Sequence, residues 1–145
     1  MKKIHMIMFL LFLNGCSIVS PDTHSNIVKT SGQIEETYWK LVELREKEVV
    51  FSENNREPYI ILRVEKNRVQ GFGGCNLLMG SYELKEGGRI RFSKMASTMM
   101  ACPQMEEEQT LFRILEEVDH YTIKEGVLSL NKARMAPLAR FKAIH

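Results

Sequence analysis

A single stretch of this chain, Pro103 to Asp119, repeats its apolar residues at helical spacing, while the rest of the region from Tyr38 to Ile144 alternates in short runs broken by polar turns. In that stretch Leu111, Leu115 and Val118 fall four and three apart, Phe112 lies three before Leu115, and Ile114 joins the same side. The result is one apolar stripe, with Phe112 at its centre, whose truncation would cost about 3–5 kcal/mol if the ring is fully buried. Pro103 suits a first helical position, and Glu106, Glu107 and Glu108 stand in the early turns, where negative charge meets the positive end of the helix dipole. The acidic run therefore reads as helix-end chemistry rather than as a metal or substrate site. One helical segment among many period-two segments predicts an α+β fold: a small single domain in which a curved antiparallel sheet carries one main helix packed across it.

The strands follow from alternation and turn residues. Tyr38 to Leu44 is rich in aromatic and β-branched residues and reads as the first strand, followed by a short Val49-Val50-Phe51 run. In Ile60 to Glu65 the even positions are apolar and two of the three odd ones are charged, as in a sheet with one solvated face. Lys66-Asn67 reads as a two-residue hairpin turn, with Arg68 to Phe72 returning. Gly80 to Leu84 and Arg89 to Phe92 flank Lys85-Glu86-Gly87-Gly88. Tyr121 to Lys124 and Val127 to Leu130 flank Glu125-Gly126, and Leu138 to Ile144 forms the last strand.

Ahead of this region stands a leader, MKKIHMIMFLLFLNGC. Its apolar run from Ile4 to Leu13 is about half of the roughly 20 residues a membrane-spanning helix needs, so it reads as the core of a signal peptide over residues 1–15. Leu13-Asn14-Gly15-Cys16 resembles a bacterial lipobox, which implies that Cys16 is the mature N-terminus, carrying a thioether-linked diacylglycerol and an N-acyl chain. Several acyl chains make a lasting anchor where one holds only marginally. Ser17 after the lipidated position favours the outer membrane, with the protein facing the periplasm. Residues 16–36, rich in Ser, Thr, Asn, Pro and Gly, lack the apolar surface to offset their ordering entropy and read as a lipidated flexible tether to a domain over residues 37–145. Removing Lys2 and Lys3 of the leader from the 20 basic residues leaves 18, against 18 acidic. A mature chain without excess positive charge lacks the main requirement for binding nucleic acid.

Thr37-Tyr38-Trp39-Lys40-Leu41, Gly71-Phe72-Gly73-Gly74-Cys75-Asn76, Gly80-Ser81-Tyr82, Ile90-Arg91-Phe92 and Ser97-Thr98-Met99-Met100-Ala101-Cys102-Pro103, followed by a Glu-rich amphipathic helix, resemble the HslJ-like META domain family in content and order. The resemblance implies a small α+β domain with a strongly curved sheet. It also implies an association with heat shock, envelope maintenance and novobiocin tolerance, without an agreed molecular activity. Leu77-Leu78-Met79 departs from relatives that carry a basic or aromatic residue after the Asn.

With Cys16 assigned to lipid, Cys75 and Cys102 remain as a pair in an oxidising compartment, and a disulfide is the economical reading. Two free buried thiols, or a nucleophilic Cys75 activated by His120, are the competing readings, though no spacing brings the latter pair together. The glycines before Cys75 lack the Lys-Ser or Lys-Thr of a phosphate loop and suit a bulge or close packing instead. His5, His24, His120 and His145 have no zinc-ligand spacing, and no cofactor is expected. Met95, Met99, Met100 and Met105 crowd around Cys102; thioethers bind Cu(I), but methionine also fills irregular core gaps. No nucleophile and base, paired carboxylates or metal cluster appears, so a non-enzymatic, monomeric envelope domain is expected. Its partners would be the membrane, through Cys16, and an envelope protein or hydrophobic ligand; a lipid-binding or secretin-pilot-like carrier is the alternative.

Overall fold

The computed structural model describes residues 33–50, 56–102 and 105–145. The expected leader, Cys16 and most of the tether lie outside the described residues. Nine strands and one helix follow in the order β1 (Tyr38–Leu44), β2 (Lys47–Glu48), β3 (Tyr59–Arg63), β4 (Arg68–Phe72), β5 (Leu77–Lys85), β6 (Arg89–Ser97), α1 (Met105–Glu117), β7 (His120–Lys124), β8 (Val127–Asn131) and β9 (Pro137–Ile144). Neighbouring strands pair antiparallel in the order β2-β1-β3-β4-β5-β6-β7-β8-β9, and β1 also pairs with β9, which closes the sheet into a barrel and leaves β2 as a flap on β1. Closure is narrowest between β6 and β7, which share the single pair Arg89 and His120. The chain between those strands forms α1, which packs against β6, β1 and β9.

The α+β expectation is corrected to a mostly β fold: strand accounts for 53% of the described chain, against one short helix. The excess arises where alternation is interrupted. β5 begins at Leu77 rather than Gly80, and β6 runs to Ser97 rather than Phe92, because a bulge opposite Gly80 lets the ladder continue to Met79–Ala96 and Leu78–Ser97. An extra residue in one strand shifts the face on which its later side chains fall. Ile90 and Phe92 are buried before the bulge and Met95 packs on the core after it, so the inward set passes from even to odd positions. Glycine suits position 80 because a Cβ there would collide with Met95 Sδ and lie 3.1 Å from Ser93 O.

Smaller departures have local causes. Arg63 pairs with Arg68, so the β3–β4 connection is the four-residue loop 64–67 rather than a two-residue turn, with Lys66 and Asn67 both at positive φ. The second strand is Lys47–Glu48 instead of Val49-Val50-Phe51, since Arg45 and Glu46 adopt φ of 45° and 65° and reverse the chain early; Phe51 lies outside the described residues. Ordered packing also starts before residue 37. Ile34 is buried, its carbonyl accepts the Trp39 indole N–H at 2.8 Å, and Glu36 N–H donates to Leu62 O at 2.8 Å. The end of the expected tether is thus part of the barrel.

Inside, Trp39, Leu41, Ile60, Leu62, Val69, Leu128, Leu130 and Phe141 are essentially inaccessible and join Leu111, Ile114 and Leu115 of α1 in one cluster. Phe112, expected at the stripe's centre, is only half-buried, because the helix turns Leu111 and Leu115 inward and leaves the ring on its flank. Leu111→Ala is therefore expected to cost about 2–5 kcal/mol, and Phe112→Ala about 1–2 kcal/mol, less than a fully buried ring would. Urea midpoints of the two variants check this; an equal loss would place the ring in the core after all.

Candidate functional site

The first turn of α1 faces the loop between β4 and β5, and Glu108 is the side chain that joins them. It stands three residues before Leu111 and seven before Leu115, in phase with the inward stripe, and is 5% exposed. Its Oε2 accepts the backbone N–H groups of Cys75 at 3.0 Å and Asn76 at 2.5 Å, while Oε1 accepts the Asn76 side-chain Nδ2–H at 2.7 Å. A carboxylate removed from water must recover hydrogen bonds, and three N–H donors at the positive end of a helix meet that need. Glycine 73 makes the approach feasible: a Cβ there would lie 2.5 Å from Glu108 Cγ and 2.6 Å from Oε2. Gly73 N–H also donates to Asn76 O at 2.8 Å, closing the loop on itself.

Asn76 carries the connection onward. It is 2% exposed, and its Oδ1 accepts Met100 N–H at 2.7 Å and the Thr98 hydroxyl at 2.8 Å, while Nδ2–H also donates to Met100 O at 3.1 Å. Thr98 Oγ1 in turn accepts Leu77 N–H at 3.1 Å. Cys75 and Cys102 are joined by a disulfide, with Cα atoms 5.9 Å apart. The Gly-Gly-Cys-Asn and Met-Ala-Cys stretches are thus held together by a covalent bond, an amide with every hydrogen-bonding position occupied, and a buried carboxylate.

Of the residues weighed from sequence, Cys75 and Cys102 meet each other, while His120 opens β7 with Nδ1 2.6 Å from Asp119 Oδ1. That ring, together with the Ala133 N–H, holds the Asp119 carboxyl down to about 2. A bridged Cys75 offers no thiolate for His120 to activate. The methionines diverge: Met95 packs on the core, whereas Met99 is 98% and Met100 59% exposed. Cys16 lies outside the described residues. The sequence reading missed Glu108 as an organising residue by grouping it with Glu106 and Glu107, which are exposed. The signal was its phase: a carboxylate in register with a buried stripe needs partners there.

Comparison with known proteins gives a consistent result. The META domain family model matches residues 32–144. An NMR structure of a protein from Burkholderia xenovorans superposes with a TM-score of 0.64 at 23% identity, covering 77% of this chain and 83% of that one. A second NMR structure superposes with a TM-score of 0.59 at 25% identity, covering 75% and 90%. No curated protein matches significantly.

Proposed function

The chain belongs to the META domain family, and on that footing we propose a non-catalytic envelope lipoprotein, anchored through acylated Cys16 and facing the periplasm from the outer membrane. It supports envelope integrity and tolerance of stress and novobiocin-like drugs by docking a protein partner on its outer surface. The observation carrying this reading is the engagement of the family motifs in the Glu108–Asn76 clamp and the Cys75–Cys102 bridge, which hold two loops rather than present reactive groups. A carrier of hydrophobic ligands would need room beneath the helix. Leu111, Ile114 and Leu115 fill that position against Trp39 and Phe141, in favour of the docking reading.

Deleting the protein is expected to lower the novobiocin concentration that inhibits growth. The wild-type chain should restore tolerance, and Cys16→Ser should not, because lipoprotein leader cleavage acts on a lipidated Cys. Unchanged sensitivity on deletion would contradict the envelope role. Palmitate incorporated equally by Cys16→Ser would remove the anchor.

A further inference from the structure

On the outer face of β4, β5 and β6 a shallow hollow is rimmed by Lys66, Arg68 and Lys94 and floored by Met79, Gly80 and Ala96. We propose that this face docks on the anionic lipid surface of a membrane. Several cations elsewhere on the barrel are held by carboxylates. Lys40, Arg63 and Arg140 each sit within 2.8 Å of a carboxylate, on Glu57, Glu36 and Glu43 respectively. Among the described residues Arg68 and Lys94 have no acidic partner, and Lys66 has only Glu65 at 3.9 Å, both strongly exposed. Three cations gathered with only this one distant, exposed carboxylate repel one another until an anionic surface supplies counter-charge.

The backbone reinforces this placement. Lys94 occupies the left-handed region, φ 51°, in the β6 bulge, a conformation that glycine or asparagine adopts more easily, and there its ammonium joins the rim. Met79 is 41% and Leu77 45% exposed two residues apart on the same face of β5, providing apolar contact next to the cations. A surface of this composition suits the boundary between lipid headgroups and acyl chains.

The path of the chain gives the face its orientation. Glu36 binds Val64 N–H at 2.8 Å and Arg63 at 2.8 Å, so the segment leading from Cys16 joins the barrel beside the 64–67 loop that carries Lys66. The residues between Cys16 and Ile34 reach at most about 60 Å when fully extended, which holds this end of the barrel at high local concentration near the bilayer. That orientation rests on the lipid-anchor reading; the surface chemistry does not.

The test uses the mature acylated chain carrying Met79→Trp, in vesicles of phosphatidylcholine alone or mixed with phosphatidylglycerol, each with brominated acyl chains. Trp39, 1% exposed in the core, provides a constant background. The expected result is quenching of the added indole in the anionic vesicles only, relieved by high salt. Adding Lys66→Glu, Arg68→Glu and Lys94→Glu together should abolish the quenching of that indole in anionic vesicles while leaving the urea midpoint in place. Equal quenching in both lipids, no quenching in anionic vesicles, or relief by millimolar inorganic phosphate at fixed ionic strength would overturn the proposal, the last by revealing a site for a discrete anion. The mass of the Cys16 peptide reports acylation separately, so failure of the anchor and failure of the docking face are distinguishable.

Discussion

Glu108→Ala is expected to destabilise the domain by about 3–5 kcal/mol, because it strands three buried donors at once. The N–H groups of Cys75 and Asn76 and the Asn76 Nδ2–H would lose their acceptor in a region with little access to water. Each hydrogen bond to a charged group contributes roughly 1.5–3 kcal/mol, but the three share one side chain, so the total falls below their sum. Glu108→Gln should lie between alanine and wild type, since one acceptor oxygen remains while the new NH2 group opposes donors already in place. Glu106→Ala and Glu107→Ala, on the exposed side of the same turn, should stay within about 0.5 kcal/mol of wild type. Chemical unfolding of the four variants gives the ranking, and equal effects for all three glutamates would return Glu108 to general helix-end electrostatics.

The second large effect belongs to the disulfide. Bridging residues 27 apart in sequence restricts the unfolded chain, and opening the bridge is expected to cost about 3–4 kcal/mol on the chain-entropy account. Cys75→Ser and Cys102→Ser should lower stability by similar amounts, and the double variant should cost little more than either, because each change opens the same loop. Protein exported to the periplasm and denatured without reductant should take up no maleimide at either position. Rapid labelling of either thiol in the folded, unreduced protein would contradict the bridge and revive the reactive-cysteine and copper readings.

Legibility in the sequence followed physical regularity. β1 was readable because its aromatic and β-branched residues mark a strand despite the bulge between Leu41 and Glu43, and the β7–β8 hairpin because Gly126 readily adopts the positive φ its turn needs. β5 and β6 were read too short because the bulge at Lys94 changes which parity faces the core, so a period-two pattern fades where the ladder continues. The early turn at Arg45 and Glu46 was hidden for another reason: neither residue type signals positive φ. The family motifs were visible as residues, but their joint role was not. The contact from Glu108 to Asn76 spans 32 positions, and nothing in local composition announces such a long-range hydrogen bond.

The central claim is that the two motifs and the helix form a single polar clamp, and a double-mutant cycle between Glu108→Ala and Asn76→Ala tests it most directly. Because the two side chains bond each other and share the same loops, the double variant should lose about 1–3 kcal/mol less stability than the sum of the singles. Additive losses would show that the two residues act independently, and would contradict the clamp.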